Sequence, residues 1–146
     1  MITLYTIGFT KKTAARFFTL MRDAGVKTLL DVRLNNSSQL AGFAKKDDLA
    51  FFLREICHAE YVPMPQLAPT QDILDAFKKD KGDWGVYEVA FNKLLVSRRV
   101  ETTVDPSLLD GGCLLCSEDT PEHCHRRLVA EYLQKYHPGM RIVHLA

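Results

Sequence analysis

Apolar positions along the chain alternate between strand-like runs and helical spacing. Ile2 to Ile7 is a β-branched and aromatic run that stops at Gly8, which predicts a buried first strand and a turn. Ala14, Phe17, Phe18, Met21 and Ala24 then recur at helical intervals, with Thr10 placed to cap that helix and Gly25 to end it. Val26 to Val32 predicts a second short strand closing on Arg33. After the polar loop Asn35 to Gln39, the residues Leu49, Phe52, Leu53 and Ile56 mark a second helix, capped by Asp47 or Asp48.

Tyr61-Val62-Pro63-Met64-Pro65 reads as a third strand. Its two prolines lack ladder donors, so it belongs at an edge. Between residues 68 and 112 the pattern is faint. Ile73, Leu74 and Phe77 suggest one helix, and Tyr87, Ala90, Phe91, Leu94 and Leu95 a longer one. Gly111-Gly112 then turns the chain into the strand Cys113-Leu114-Leu115-Cys116. Leu128, Val129, Tyr132, Leu133 and Tyr136 mark a final helix, and Arg141 to Leu145 a last strand.

Strands that alternate with helices predict an α/β fold: a single domain over 1–146, with a mostly parallel central sheet of about five strands and helices on both faces. Ligands of such sheets bind beyond the carboxyl ends of the strands. Those ends carry Gly8-Phe9-Thr10, Asp31-Val32-Arg33 and Cys116-Ser117-Glu118.

Nineteen Lys and Arg against eighteen Asp and Glu leave a net charge of +1, so bulk charge does not favour a nucleic-acid partner. No apolar stretch approaches the ~20 residues that span a bilayer. The first residues do not read as a signal peptide. A cytoplasmic protein is the expectation, with no membrane partner and no predicted oligomeric state. Its four cysteines then read as reduced thiols.

The densest chemistry lies in Cys116-Ser117-Glu118-Asp119-Thr120-Pro121-Glu122-His123-Cys124-His125-Arg126-Arg127. Asp119 or Thr120 is placed to cap the following helix, with Pro121 in its first turn. Cys124, His125 and Arg126 then fall near a helix N-terminus, where free N–H groups favour an anion or a thiolate. The alternative makes Cys116 and Cys124 small buried hydrophobes, and Glu118 and Arg126 a structural ion pair. The C-x-x-C of Cys113 and Cys116 is no pair, since strand residues three apart face opposite ways. Zinc could be held by Cys116, Cys124 and one of His123 or His125, but the gap between the cysteines is not a zinc-knuckle spacing, so no metal and no cofactor are expected. Asp31 and Arg33 share one side of a pleat, either as a buried ion pair or with Arg33 holding a substrate anion.

These residues resemble the family called domain of unknown function 488. The likeness rests on Thr6-Ile7-Gly8, on Asp31-Val32-Arg33 followed by Ser38, and on Tyr61 with Pro65 and Leu67. Above all it rests on Leu115-Cys116-Ser117-Glu118 with Cys124-His125-Arg126. Phe9-Thr10, Asn36, Gln39 and Ala68 depart from the family's usual pattern. The resemblance implies the α/β fold and a site at the C-x-E and C-H-R elements.

The leading expectation is a pocket for an anionic small molecule, phosphate-bearing or nucleotide-like. Cys116 or Cys124 is the candidate nucleophile and Glu118 the acid–base group. Gly8, Thr10, Asp31, Arg33, Ser38, His125 and Arg126 are the candidate binding residues. The alternatives are a non-catalytic module, binding nucleic acid or protein near Lys11-Lys12, Lys45-Lys46 and Arg126-Arg127, and a structural zinc protein.

Overall fold

The computed structural model describes residues 1–36 and 42–146. In chain order the elements are β1 (Thr3–Gly8), α1 (Ala14–Ala24), β2 (Thr28–Asp31), α2 (Lys46–Phe52), β3 (Glu60–Pro63), α3 (Gln71–Lys78), α4 (Trp84–Arg98), α5 (Val100–Thr103), β4 (Gly112–Cys116), α6 (His125–Gln134) and β5 (Arg141–His144). The five strands pair in parallel throughout, in the order β3-β2-β4-β1-β5. The proline-bearing strand is at one edge, where its missing donors go unused.

The handedness of parallel crossovers places the helices. From β1 through β2 to β3 the chain moves one way across the sheet, and α1 and α2 cover one face. From β3 back to β4 and on to β5 it moves the other way, and α3, α4, α5 and α6 cover the opposite face. The pleat divides the strand residues accordingly. Ile7, Leu29, Cys113 and Leu115 pack with Phe17, Phe18, Met21, Leu49 and Leu53. Leu4, Leu30, Val32, Leu114 and Cys116 pack with Phe91, Leu95, Leu128, Val129 and Leu133. Cys113 and Cys116 thus face opposite ways, as strand geometry requires. Among the described residues, no helix is long and apolar enough to cross a membrane.

Three helix starts differ from the sequence expectation. The cap of α1 is Thr13, whose hydroxyl accepts from Arg16 N–H, while Thr10 lies before it. Gly25 does end the helix, in the left-handed region at φ 76°. Lys45 precedes α2 without a side-chain cap, and Asp47 and Asp48 fall within its first turn, where they favour the helix dipole. The final helix does not begin near Thr120. Its N-cap is Cys124, and Pro121 lies in the preceding loop.

That loop is held open by tertiary bonds to its carbonyls. Thr10 N–H donates to Ser117 O at 3.1 Å. Arg126 Nη1 donates to Glu118 O at 2.7 Å, and Arg126 Nη2 to Asp119 O at 3.5 Å. Carbonyls committed this way cannot serve a helical ladder.

Candidate functional site

Parallel register brings the three polar strand ends together. Gly8 lies opposite Cys116, and Asp31 lies opposite Leu115. Val32 N–H continues the ladder to Leu115 O at 3.2 Å. The carboxyl ends of β1, β2 and β4 therefore form one rim, and α6 begins beside it.

Cys116, Cys124 and His125 meet at this rim, exposed by 4%, 2% and 7%. Cys116 ends β4, Cys124 caps α6, and His125 is that helix's first residue. His125 Nε2 lies 2.6 Å from Val32 O, so that nitrogen carries the proton and donates. Its Nδ1 is left as an acceptor and faces Cys116 Sγ at 3.4 Å. Burial holds the His125 pKa down at about 4, against the bond to Val32, which favours the charged ring. The sulfurs of Cys116 and Cys124 are placed together as a disulfide pair, with Cα atoms 7.2 Å apart. Relaxed cystines span roughly 4.4–6.8 Å between Cα atoms, so a covalent bridge here requires the backbone to draw in.

Arg33 stands at the same rim. Its Nε and Nη2 donate to the two Asp31 carboxylate oxygens at 2.9 and 2.8 Å, a bidentate fork. Tyr61 donates its hydroxyl to Asp31 from the edge strand. The guanidinium carbon lies 5.6 Å from the centre of the Phe9 ring. One edge is left over: among the described residues, the buried Arg33 Nη1 has no hydrogen-bond partner.

A cleft of about 140 Å³ opens over these groups. Arg33, Cys116, Cys124 and His125 line it, as do Ser117 and Glu118. Its far wall comes from α3 and α4, with Phe77, Lys78, Trp84 and Tyr87. The Trp84 ring stacks on Tyr87 at 4.8 Å and on His123 at 5.0 Å. At the mouth, Lys78 pairs with Glu118 and ties α3 to the loop before α6.

The sequence-predicted residues thus divide. Arg33, Cys116, Glu118, Cys124 and His125 line the cleft, and Asp31 is buried behind it, holding Arg33. Gly8, Thr10 and Arg126 support the loop beneath it. A Cβ on Gly8 would stand 1.6 Å from Glu118 O, so only glycine allows the loop to lie against β1. Arg126 is 0% exposed, and its Nε adds a 3.3 Å bond to the Thr6 hydroxyl. It does not line the cleft, which corrects the expectation that it holds the anion. Ser38 lies outside the described residues. Trp84 packs against the core and also forms a cleft wall. Lys78 and Phe77 came with no sequence signal for the site, because α3 carries no motif.

A family model described as domain of unknown function DUF488 matches residues 13–133. Neither the curated proteins nor the solved structures yield a match. The match spans most of the sequence, including β2 with Arg33 and the whole stretch from Cys116 to Arg126, and the chain belongs to the DUF488 family.

Proposed function

We propose that the chain is an enzyme acting on an anionic substrate of the phosphate-bearing or nucleotide-like class, bound in this cleft. The observation that carries the reading is Arg33 Nη1, a buried charged donor without a partner among the described residues, beside a cluster of two cysteines and a histidine. A buried guanidinium edge left unbonded is costly, and an incoming anion would satisfy it. Asp31 holds the fork in position from the opposite side. The stacked Trp84 and Tyr87 offer an aromatic surface to the rest of the substrate. Cys116, Cys124 and His125 are the reacting centre, and Glu118 at the mouth is the acid–base group.

Half of the basic edge needed by a nucleic-acid module is committed, while Lys11, Lys45 and Lys46 stay exposed. Lys12 is buried against Asp119 at 2.9 Å, Arg126 is buried, and Arg127 pairs with Glu131 at 3.2 Å. Trp84 is the sole tryptophan, so its fluorescence reports on the cleft. Titration with phenyl phosphate, an aromatic phosphate monoester, should quench it saturably. Arg33→Lys keeps the charge beside Asp31 but lacks the third edge of the fork. It should fold, with some stability lost from the broken fork to Asp31, and bind phenyl phosphate about tenfold more weakly, or worse, as expected for one lost charged hydrogen bond. Equal binding by Arg33→Lys and wild type would remove the anchor of this reading.

A further inference from the structure

We infer that the Cys116–Cys124–His125 cluster is a binding site for a thiophilic divalent cation, zinc in the first instance. The inference deepens the cleft reading and rests on it only for the site's access to substrate. One atom from each residue, Sγ, Sγ and Nδ1, falls within 4.8 Å of the other two. Two thiolates and an imidazole select zinc over magnesium or calcium, which prefer oxygen donors.

The surroundings fit a metal in two further ways. His125 donates Nε2–H to Val32 O, the outer bond that metal-bound histidines make to fix their tautomer, and this leaves Nδ1 free toward the sulfurs. The Cα spacing of 7.2 Å is too wide for a relaxed cystine. A tetrahedral ion with Zn–S bonds of about 2.3 Å holds its two sulfurs about 3.7 Å apart, and the wider backbone spacing suits that arrangement.

Knuckle spacing is a rule for closed structural sites, and so the eight-residue separation of the cysteines does not count against an open one. Here the third ligand comes from the first residue of α6, and the fourth position belongs to water or substrate in the cleft. Three protein ligands with one open position is the arrangement of catalytic zinc. On binding, each thiol gives its proton to solvent as its sulfur takes the cation. His125 contributes the Nδ1 lone pair and keeps its proton on Nε2, and no electrons are transferred.

The test uses the full chain, reduced and stripped of metal, titrated with cobalt(II) and then with zinc(II). One equivalent of cobalt should bind, with thiolate-to-cobalt charge transfer in the near ultraviolet and the intense visible bands of a tetrahedral site. Zinc should displace it. Cys124→Ser and His125→Ala should each weaken binding by on the order of 100-fold, while Cys57→Ser, half-buried under α1, should bind as wild type. Circular dichroism on each variant separates ligand loss from unfolding. No stoichiometric cobalt, a spectrum without thiolate bands, or unchanged affinity in folded Cys124→Ser would overturn the site. Quenching of Trp84 by phenyl phosphate reports on the cleft separately. Quenching with no cobalt binding sinks the metal alone, whereas cobalt binding with no quenching upholds the metal and sinks the anionic substrate.

Discussion

Replacing Gly8 with alanine should destabilise the protein by about 4 kcal/mol, or roughly 10 °C in melting temperature. The added methyl would stand 1.6 Å from Glu118 O and 3.0 Å from Arg126 Nη1. No rotamer relieves a clash between Cβ and backbone, so the loop must move. Its movement strains the bond from Thr10 to Ser117 and the bond from Arg126 to Glu118. Each buried carbonyl left without a donor costs ~1–3 kcal/mol. Gly25→Ala is the control, because its site has open space around it and only an unfavourable φ. That variant should lose about 1 kcal/mol. Urea denaturation of the two variants checks the ranking. Equal losses would mean that the contact between β1 and the 117–119 loop does not hold the rim together.

Arg126→Met should cost a comparable ~3–5 kcal/mol. The side chain is fully buried, and burial alone lowers its pKa, to about 10, so the fold bears a desolvation cost to keep it charged. What offsets that cost is its set of bonds to the Glu118 and Asp119 carbonyls and the Thr6 hydroxyl. Methionine fills much of the volume and satisfies none of these acceptors. Arg126→Lys should lose nearly as much, since a single ammonium cannot reach along two successive carbonyls as the planar fork does. The contrast with Arg33→Lys separates the two arginines. Arg126→Lys should lose stability yet keep its ligand affinity where folded, whereas Arg33→Lys should lose affinity even where it is folded. Thermal melts alongside Trp84 titrations measure both. Arg126→Lys melting with wild-type stability would contradict a structural role for that fork.

Much of the rim was legible because parallel sheets collect their carboxyl ends on one side. Gly8, Asp31-Val32-Arg33 and Cys116 each end an apolar run, so their convergence followed from strand direction alone. Strand alternation also separated Cys113 from Cys116 without coordinates. Local rules failed where tertiary bonds decide. Asp119, Thr120 and Pro121 have the chemistry of a helix start, yet Arg126, Lys12 and Thr10 draw the loop's carbonyls away, and the helix waits until His125. Arg126 and Arg127 look alike as a doublet. One helical step of about 100° puts the first inside and the second at the surface.

The far wall was hidden for a different reason. Helix α4 reads Trp-Gly-Val-Tyr-Glu-Val-Ala-Phe-Asn-Lys-Leu-Leu-Val-Ser-Arg and is apolar on every side. Val86, Val89 and Val96 are exposed while Tyr87, Phe91 and Leu95 are buried, so hydropathy does not show which face meets the sheet. Trp84 therefore carries no mark of the cleft in the sequence. Only packing against Phe77, Tyr87 and His123 places it at the cleft.

The account stands on the two thiols opening into a cleft that an anion can fill. Its most direct test is site-resolved alkylation of the reduced, metal-free chain by iodoacetamide, read by mass spectrometry at constant ionic strength. Cys116 and Cys124 should label faster than fully buried Cys113, and phenyl phosphate should slow both without changing the rate at half-buried Cys57. Labelling of Cys116 and Cys124 no faster than that of Cys113, or rates indifferent to phenyl phosphate, would contradict it.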